Sequence, residues 1–212
     1  MNRTVLRTPF WGTGVTALVL AGAVAASAQE VQSLSSSSGG TLRITRPGSY
    51  RLRDDINLRG TGAAVVIAAD GVSLDLGGHF LAGPGGKQGT GILVDGGRNV
   101  SVKNGTLHGF GFGVEVRNAT NVKIQGLQIS GDDGGGPPPG EVGILILNSR
   151  GVEATRNVIA RVFLGVFVRG GGSGANRLFE NTLAGETTAR SGSATTPMAS
   201  EAPPDPWVTS ST

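Results

Sequence analysis

The sequence predicts an all-β chain wound as a parallel β-helix of about five coils, and three observations carry that prediction. The first is a block, Gly91-Ile92-Leu93-Val94, that returns as Gly113-Val114-Glu115-Val116, Gly143-Ile144-Leu145-Ile146 and Gly165-Val166-Phe167-Val168. The blocks are spaced by 22, 30 and 22 residues, and the longer interval holds an insertion at residues 132–139. A period of this length marks a solenoid, in which each repeat is one supersecondary unit. The second is that each period contains two further apolar pieces, Val100-Ser101-Val102 and Thr106-Leu107-His108 in one period, Val122-Lys123-Ile124 and Gln128-Ile129-Ser130 in the next. Side chains alternate across a strand, so Ile92, Val94, Val100, Val102 and Leu107 share one side while Leu93, Ser101 and His108 share the other. The third is the residue ahead of the middle piece, which is Gly71, Asn99, Asn121 or Gly151. Those two residue types enter the left-handed region most readily, so the position reads as a corner with positive φ.

Taken in order, residues 1–28 read as a secretory leader. Arg3 and Arg7 precede an apolar run at 15–25 and a small-residue cleavage site, Ala26-Ser27-Ala28. The run is shorter than the ~20 residues a bilayer span needs, so no membrane span is expected after its removal, and the expected location is secreted or periplasmic. Residues 29–40 form a Ser-rich spacer expected to be mobile. Residues 41–185 form the β-helix domain. It opens with Thr41-Leu42-Arg43-Ile44-Thr45, a Pro47-Gly48 turn and Ser49-Tyr50-Arg51-Leu52, read as two edge strands whose Pro and charges discourage further pairing. The first regular rung follows, with Val65-Val66-Ile67, Val72-Ser73-Leu74-Asp75-Leu76 and Phe80-Leu81, and a Gly-rich loop at 83–90 leads to the second. Beyond Leu183 the pattern stops. Residues 186–212 are mostly Thr, Ser, Ala and Pro with one aromatic, Trp207, and are expected to form a disordered tail.

On these strands and corners the chain resembles the right-handed parallel β-helix repeats of the pectin-lyase-like superfamily, over about residues 41–185. The resemblance rests on repeat grammar and not on a catalytic motif. It implies a right-handed, single-stranded parallel β-helix. Proteins of that grammar include polysaccharide lyases, hydrolases, epimerases, phage tailspikes and periplasmic accessory proteins.

Charge and composition narrow the function. The chain has 18 Lys and Arg against 15 Asp and Glu, and removal of Arg3 and Arg7 with the leader brings the balance close to neutral. With no basic run and no nucleic-acid motif, a nucleic-acid partner is not expected. There is no Cys, which closes the lipoprotein route and any disulfide framework. His79 and His108 are the only histidines and Met1 and Met198 the only methionines, so zinc and copper lack a ligand set. Calcium accepts carboxylate and backbone oxygens alone, and Asp132 and Asp133 are the pair that could hold it. Two Gly-rich stretches, 109–113 and 170–174, neither open a helix nor carry a Lys-Ser/Thr pair and read as turns.

Four residues are candidates for catalysis: Asp132, Asp133, Glu115 and Arg117. The adjacent acid pair resembles the acidic site of polygalacturonases, where carboxylates serve as general acid and as base for water at separations of ~6.5–9.5 Å. The chain departs from that pattern: Phe110 stands one rung back where a third carboxylate is wanted, and the Gly-His-Gly and Arg-x-Lys elements are absent. The alternative reading of the pair is a solvated loop tip. Arg117 could neutralise a uronate carboxylate, or simply pair with Asp95 one rung below. His108, stacked under Ser130, reads as a surface histidine.

The functional expectation is an exported β-helix that binds polysaccharide or cell-surface material without demonstrable catalysis, through an outward ladder of Ser101, Lys103, Lys123, Gln125, Glu153 and Thr155. An enzyme acting on uronate polymers and a structural or truncated fragment are the alternatives. The final rung, with Val166, Val168, Leu178 and Leu183, has no regular coil after it, so self-association through that open end, or capping by the tail, is expected.

Overall fold

Each sequence period closes one coil, because its three apolar pieces can hide their shared face only against the same positions of the coils above and below. The computed structural model describes residues 31–34, 40–132, 141–170 and 175–184, together with the backbone of 188–191. Strand β1 (Val31–Leu34) lies ahead of the first coil. The opening coil holds β2 (Leu42–Ile44), β3 (Gly48–Leu52) and β4 (Ile56–Asn57). The next holds β5 (Ala63–Ile67), β6 (Val72–Asp75) and β7 (Phe80–Ala82). Two coils follow in which the second and third pieces fuse into one long strand: β8 (Thr90–Asp95) with β9 (Arg98–His108), then β10 (Phe112–Arg117) with β11 (Thr120–Ser130). Asn104 at φ 59° and Gly126 at φ 63° bend those long strands. The pieces separate again in β12 (Val142–Leu147), β13 (Glu153–Thr155) and β14 (Val158–Ala160), and in β15 (Leu164–Arg169), β16 (Arg177–Phe179) and β17 (Thr182–Ala184). β18 (Thr188–Ser191) begins one more turn.

All pairings are parallel. Among the described residues they make a seven-stranded sheet ordered β18-β15-β12-β10-β8-β5-β2 and an eleven-stranded sheet along β1-β3-β6-β9-β11-β13-β16, with β4, β7, β14 and β17 joined at its side. The result is an all-β parallel solenoid of about five turns.

The register fixes the core. Val65, Ile92, Val114, Ile144 and Val166 form one inward column, and Ile67, Val94, Val116, Ile146 and Val168 another. Ile92, Val94, Val100, Val102 and Leu107 are 0–1% exposed, as the alternation predicts. Burying each such side chain contributes roughly 1.5–3 kcal/mol, which is why the coils need one another. The core loosens at the last full coil, where Leu178 and Leu183 are inward by register but 39% exposed.

The glycine that opens each coil is there for space. A Cβ on Gly113 would stand 2.6 Å from Gly143 O and 2.5 Å from Ile129 Cγ2, and one on Gly143 would stand 2.6 Å from Gly165 O and 2.5 Å from Ile159 Cγ2. The corner ahead of the middle strand is left-handed as expected, with φ 64° at Gly71, 55° at Asn99, 56° at Asn121 and 64° at Gly151. In the last coil Ala175 takes the same place at φ 59°.

Several sequence expectations shift. The spacer is not wholly free of structure, since β1 pairs along β3 from Val31 against Ser49 to Leu34 against Leu52 and covers the edge that Pro47 and the charges were expected to guard. β18 pairs along β15 within the stretch where no repeat was visible; residues 192–212, with Trp207, lie outside the described residues, as do residues 1–30. Val66 and Leu145 face outward by register yet are each only 6% exposed.

Candidate functional site

The predicted site residues fall in two places. On the outer face of the seven-stranded sheet, β8 and β10 set Asp95 directly below Arg117. The guanidinium grips Asp95 with both forks, Nε to Oδ1 at 3.1 Å and one terminal nitrogen to Oδ2 at 3.1 Å. Its other terminal nitrogen lies 3.8 Å from Glu115 Oε1. The hydrogen bond it donates to Asp95 raises the Arg117 pKa, burial opposes this, and the charges of Asp95 and Glu115 add to the rise. Arg117 is therefore the hub of an Asp95–Arg117–Glu115 cluster, a partly exposed group in which the paired forks are already occupied.

Asp132 sits elsewhere, where the end of β11 turns toward β12. Its Oδ2 accepts from Gly86 N at 3.3 Å, so it ties the 83–89 loop of one coil to the coil above. Its own N–H donates to Glu141 Oε1 at 3.4 Å. Asp133 lies outside the described residues.

Glu141 was missed in the sequence, although it is the most perturbed acid at this corner. It is fully buried, and its Oε2 has no hydrogen-bond partner among the described residues. Burial pushes its pKa up, and the charge of Asp132 adds to that; the Asp132 N–H and the charges of Lys87 and His108 pull the other way. Its only sequence signal was a carboxylate directly before the apolar run of β12. His108 lies beside Ser130 with Nδ1 and Oγ 2.9 Å apart, the stacking the period predicts, and its ring is 6.1 Å from that of Phe80. Among the described residues no three His, Cys, Asp or Glu side chains come together as a metal site.

The polar ladder on the eleven-stranded sheet is in register. Ser73, Ser101, Lys123, Glu153 and Arg177 form one column. Asp75, Lys103, Gln125 and Thr155 form the next. Thr155 is a correction to the exposed ladder: it is 6% exposed, between Gln125 and the larger Phe179. Lys103 Nζ lies 3.8 Å from Asp75, and Arg177 lies 5.5 Å over the Phe179 ring.

A cleft of about 480 Å³ opens at the left-handed corner, lined by Arg98, Asn99, Thr120, Asn121 and Arg150.

With the parallel coils, the inward columns and the left-handed corners in place, the family model described as a right handed beta helix region matches residues 57–195. The chain belongs to the right-handed β-helix family. The matched region begins in β4 and runs past β18, so it covers both the polar ladder and the corner cleft. No curated protein and no solved structure matches the chain. In this β-helix the coils set a polar ladder and a corner cleft on the surface.

Proposed function

We propose that this β-helix protein is exported and binds polysaccharide or cell-surface material along its length, without turnover. The observation that carries the reading is the outward column Ser101–Lys123–Glu153–Arg177, with Lys103 and Gln125 beside it, each side chain one strand spacing (~4.8 Å) from the next. A periodic row of hydroxyl, amide and charged groups matches a periodic ligand, and an extended glycan presents hydroxyls at regular intervals along one direction. Export is supported by the leader pattern in residues 1–28.

Binding is favoured over catalysis because the described candidates, Glu115 and Arg117 on one face and Asp132 at the end of β11, are engaged in separate work. Arg117 is held by Asp95, and Asp132 bonds the backbone of the neighbouring loop. A lyase or hydrolase needs its acid, base and charge-neutralising group around one bond.

The test is a glycan array with the purified chain beside turnover assays on uronate polymers. Retention of one or more glycans with no product formed is the expected result. Product formation on a uronate polymer would replace binding with catalysis, and retention of nothing would leave a structural β-helix.

A further inference from the structure

We propose that the corner cleft is an anion site that takes the carboxylate of an acidic glycan, with Arg98 and Arg150 as its two cationic walls. This rests on the polysaccharide reading and specifies its ligand class and a contact point.

The cleft follows from the register. Thr120 pairs with Arg98 on one side and with Arg150 on the other, so the two arginines stand on alternate coils, about 9.6 Å apart along the axis, with the Thr120 hydroxyl between them. Both are exposed, and among the described residues neither has an ion-pair partner. Asp70, the acid in register below Arg98, uses Oδ1 to accept from the Arg98 backbone N–H at 2.8 Å. The local main chain is also committed: Thr120 N donates to Gly97 O, Asn121 N to Arg150 O and Arg150 N to Ala119 O. Recognition therefore falls to side chains.

Those side chains are mostly donors. The left-handed corners put Asn99 and Asn121 side by side, and Asn121 Nδ2 donates to Asn99 Oδ1 at 3.3 Å. That bond leaves the Asn99 amide donor and the Asn121 carbonyl uncommitted to each other, on residues that line the cleft with Thr120. Two guanidiniums bracketing a polar floor favour an oxyanion, because each fork matches a carboxylate or phosphate with paired hydrogen bonds. The amide and hydroxyl groups suit the hydroxyls that flank the acid group in a sugar. A nucleic acid fits poorly, since no aromatic ring lines the cleft to stack a base.

The experiment measures binding of the purified full chain to polygalacturonate, dextran and inorganic polyphosphate by titration calorimetry, alongside R98Q/R150Q and, as a control outside the cleft, K123Q. Expected are preferential binding of polygalacturonate, a loss of about tenfold or more in R98Q/R150Q with an unchanged melting temperature, and a smaller loss in K123Q. Arg98→Lys should fail to restore full affinity, because a lysine keeps the charge and loses the fork. Equal affinity of R98Q/R150Q and the unmodified chain for polygalacturonate overturns the cleft while leaving the polysaccharide reading standing. Dextran bound as tightly as polygalacturonate, or polyphosphate preferred to both, overturns the carboxylate assignment. No binding of any glycan overturns the cleft and the polysaccharide reading together.

Discussion

Asn157 donates from Nδ2 to Asn181 Oδ1 at 2.9 Å, one coil away, inside the corner where β13 gives way to β14. The same Asn157 accepts from Leu127 N at 3.0 Å and donates to Ile124 O at 3.1 Å, so it satisfies the main chain of the coil below. Asn181 repeats the pattern, donating to Ala154 O at 2.8 Å and accepting from Asn157 N at 3.0 Å. The pair is an internal polar ladder at a bend where strand pairing leaves backbone groups unmet, and buried groups of that kind are costly unless bonded.

Asn157→Ala should therefore cost about 1–3 kcal/mol, since it leaves Leu127 N and Ile124 O buried without partners. A urea melt compared with Asn118→Gly, which keeps a left-handed surface corner at φ 53°, is the check. Equal midpoints would remove the ladder's role.

Gly143→Ala should cost about 1–3 kcal/mol, because its Cβ would press on Gly165 O and Ile159 Cγ2 in a packed core. Gly86→Ala, at a position open to solvent but at φ 61°, should show the smaller cost of strain alone. Thermal melts of both variants decide whether close approach is the reason for the repeated glycine.

At the left-handed corner, Asn121→Val should lose roughly 1–2 kcal/mol while Asn121→Gly stays near neutral. Ala175→Gly should gain stability, by roughly 1 kcal/mol, because alanine there already bears φ 59°. Denaturant midpoints that fall for Ala175→Gly would show that the corner is not strained in the last coil.

Glu141→Gln should stabilise the fold at neutral pH. The Glu141 pKa is raised by burial, so the folded state disfavours its ionised form. Well below the ordinary carboxylate value of 4.5 both states are protonated and no penalty applies. As the pH rises through that value the unfolded chain ionises first and the folded state loses relative stability, until the folded carboxyl ionises too and the penalty becomes constant. The advantage of the glutamine should appear across this window and persist above it. A stability difference between the two forms that does not change with pH would show that ionisation is not its source.

Much of the architecture was legible because a solenoid writes its contacts into its period. Ile92 and Ile144 are in one column because each is the second residue of a repeated block, and Asn99 and Asn121 share a corner because that corner requires positive φ. The pairing of Asp95 with Arg117 and of His108 with Ser130 followed from the same spacing. Asn157 and Asn181 repeat 24 residues apart, and that signal was readable too, although a buried amide is easily taken for another turn residue.

What the sequence determined by itself was therefore the coil: its inward faces, its corners and its neighbours one period away, all of which depend on local conformation and a fixed spacing. Tertiary structure alone decided what happens where the period breaks. Where the period breaks between β11 and β12, Asp132 stands on Gly86 and Glu141 is shut away from water, with one oxygen unpaired among the described residues. The register across three coils places Arg98 and Arg150 on either side of Thr120. Charges at such places interact through space, over distances and through a dielectric that only the folded backbone sets, and so a repeat count cannot show them.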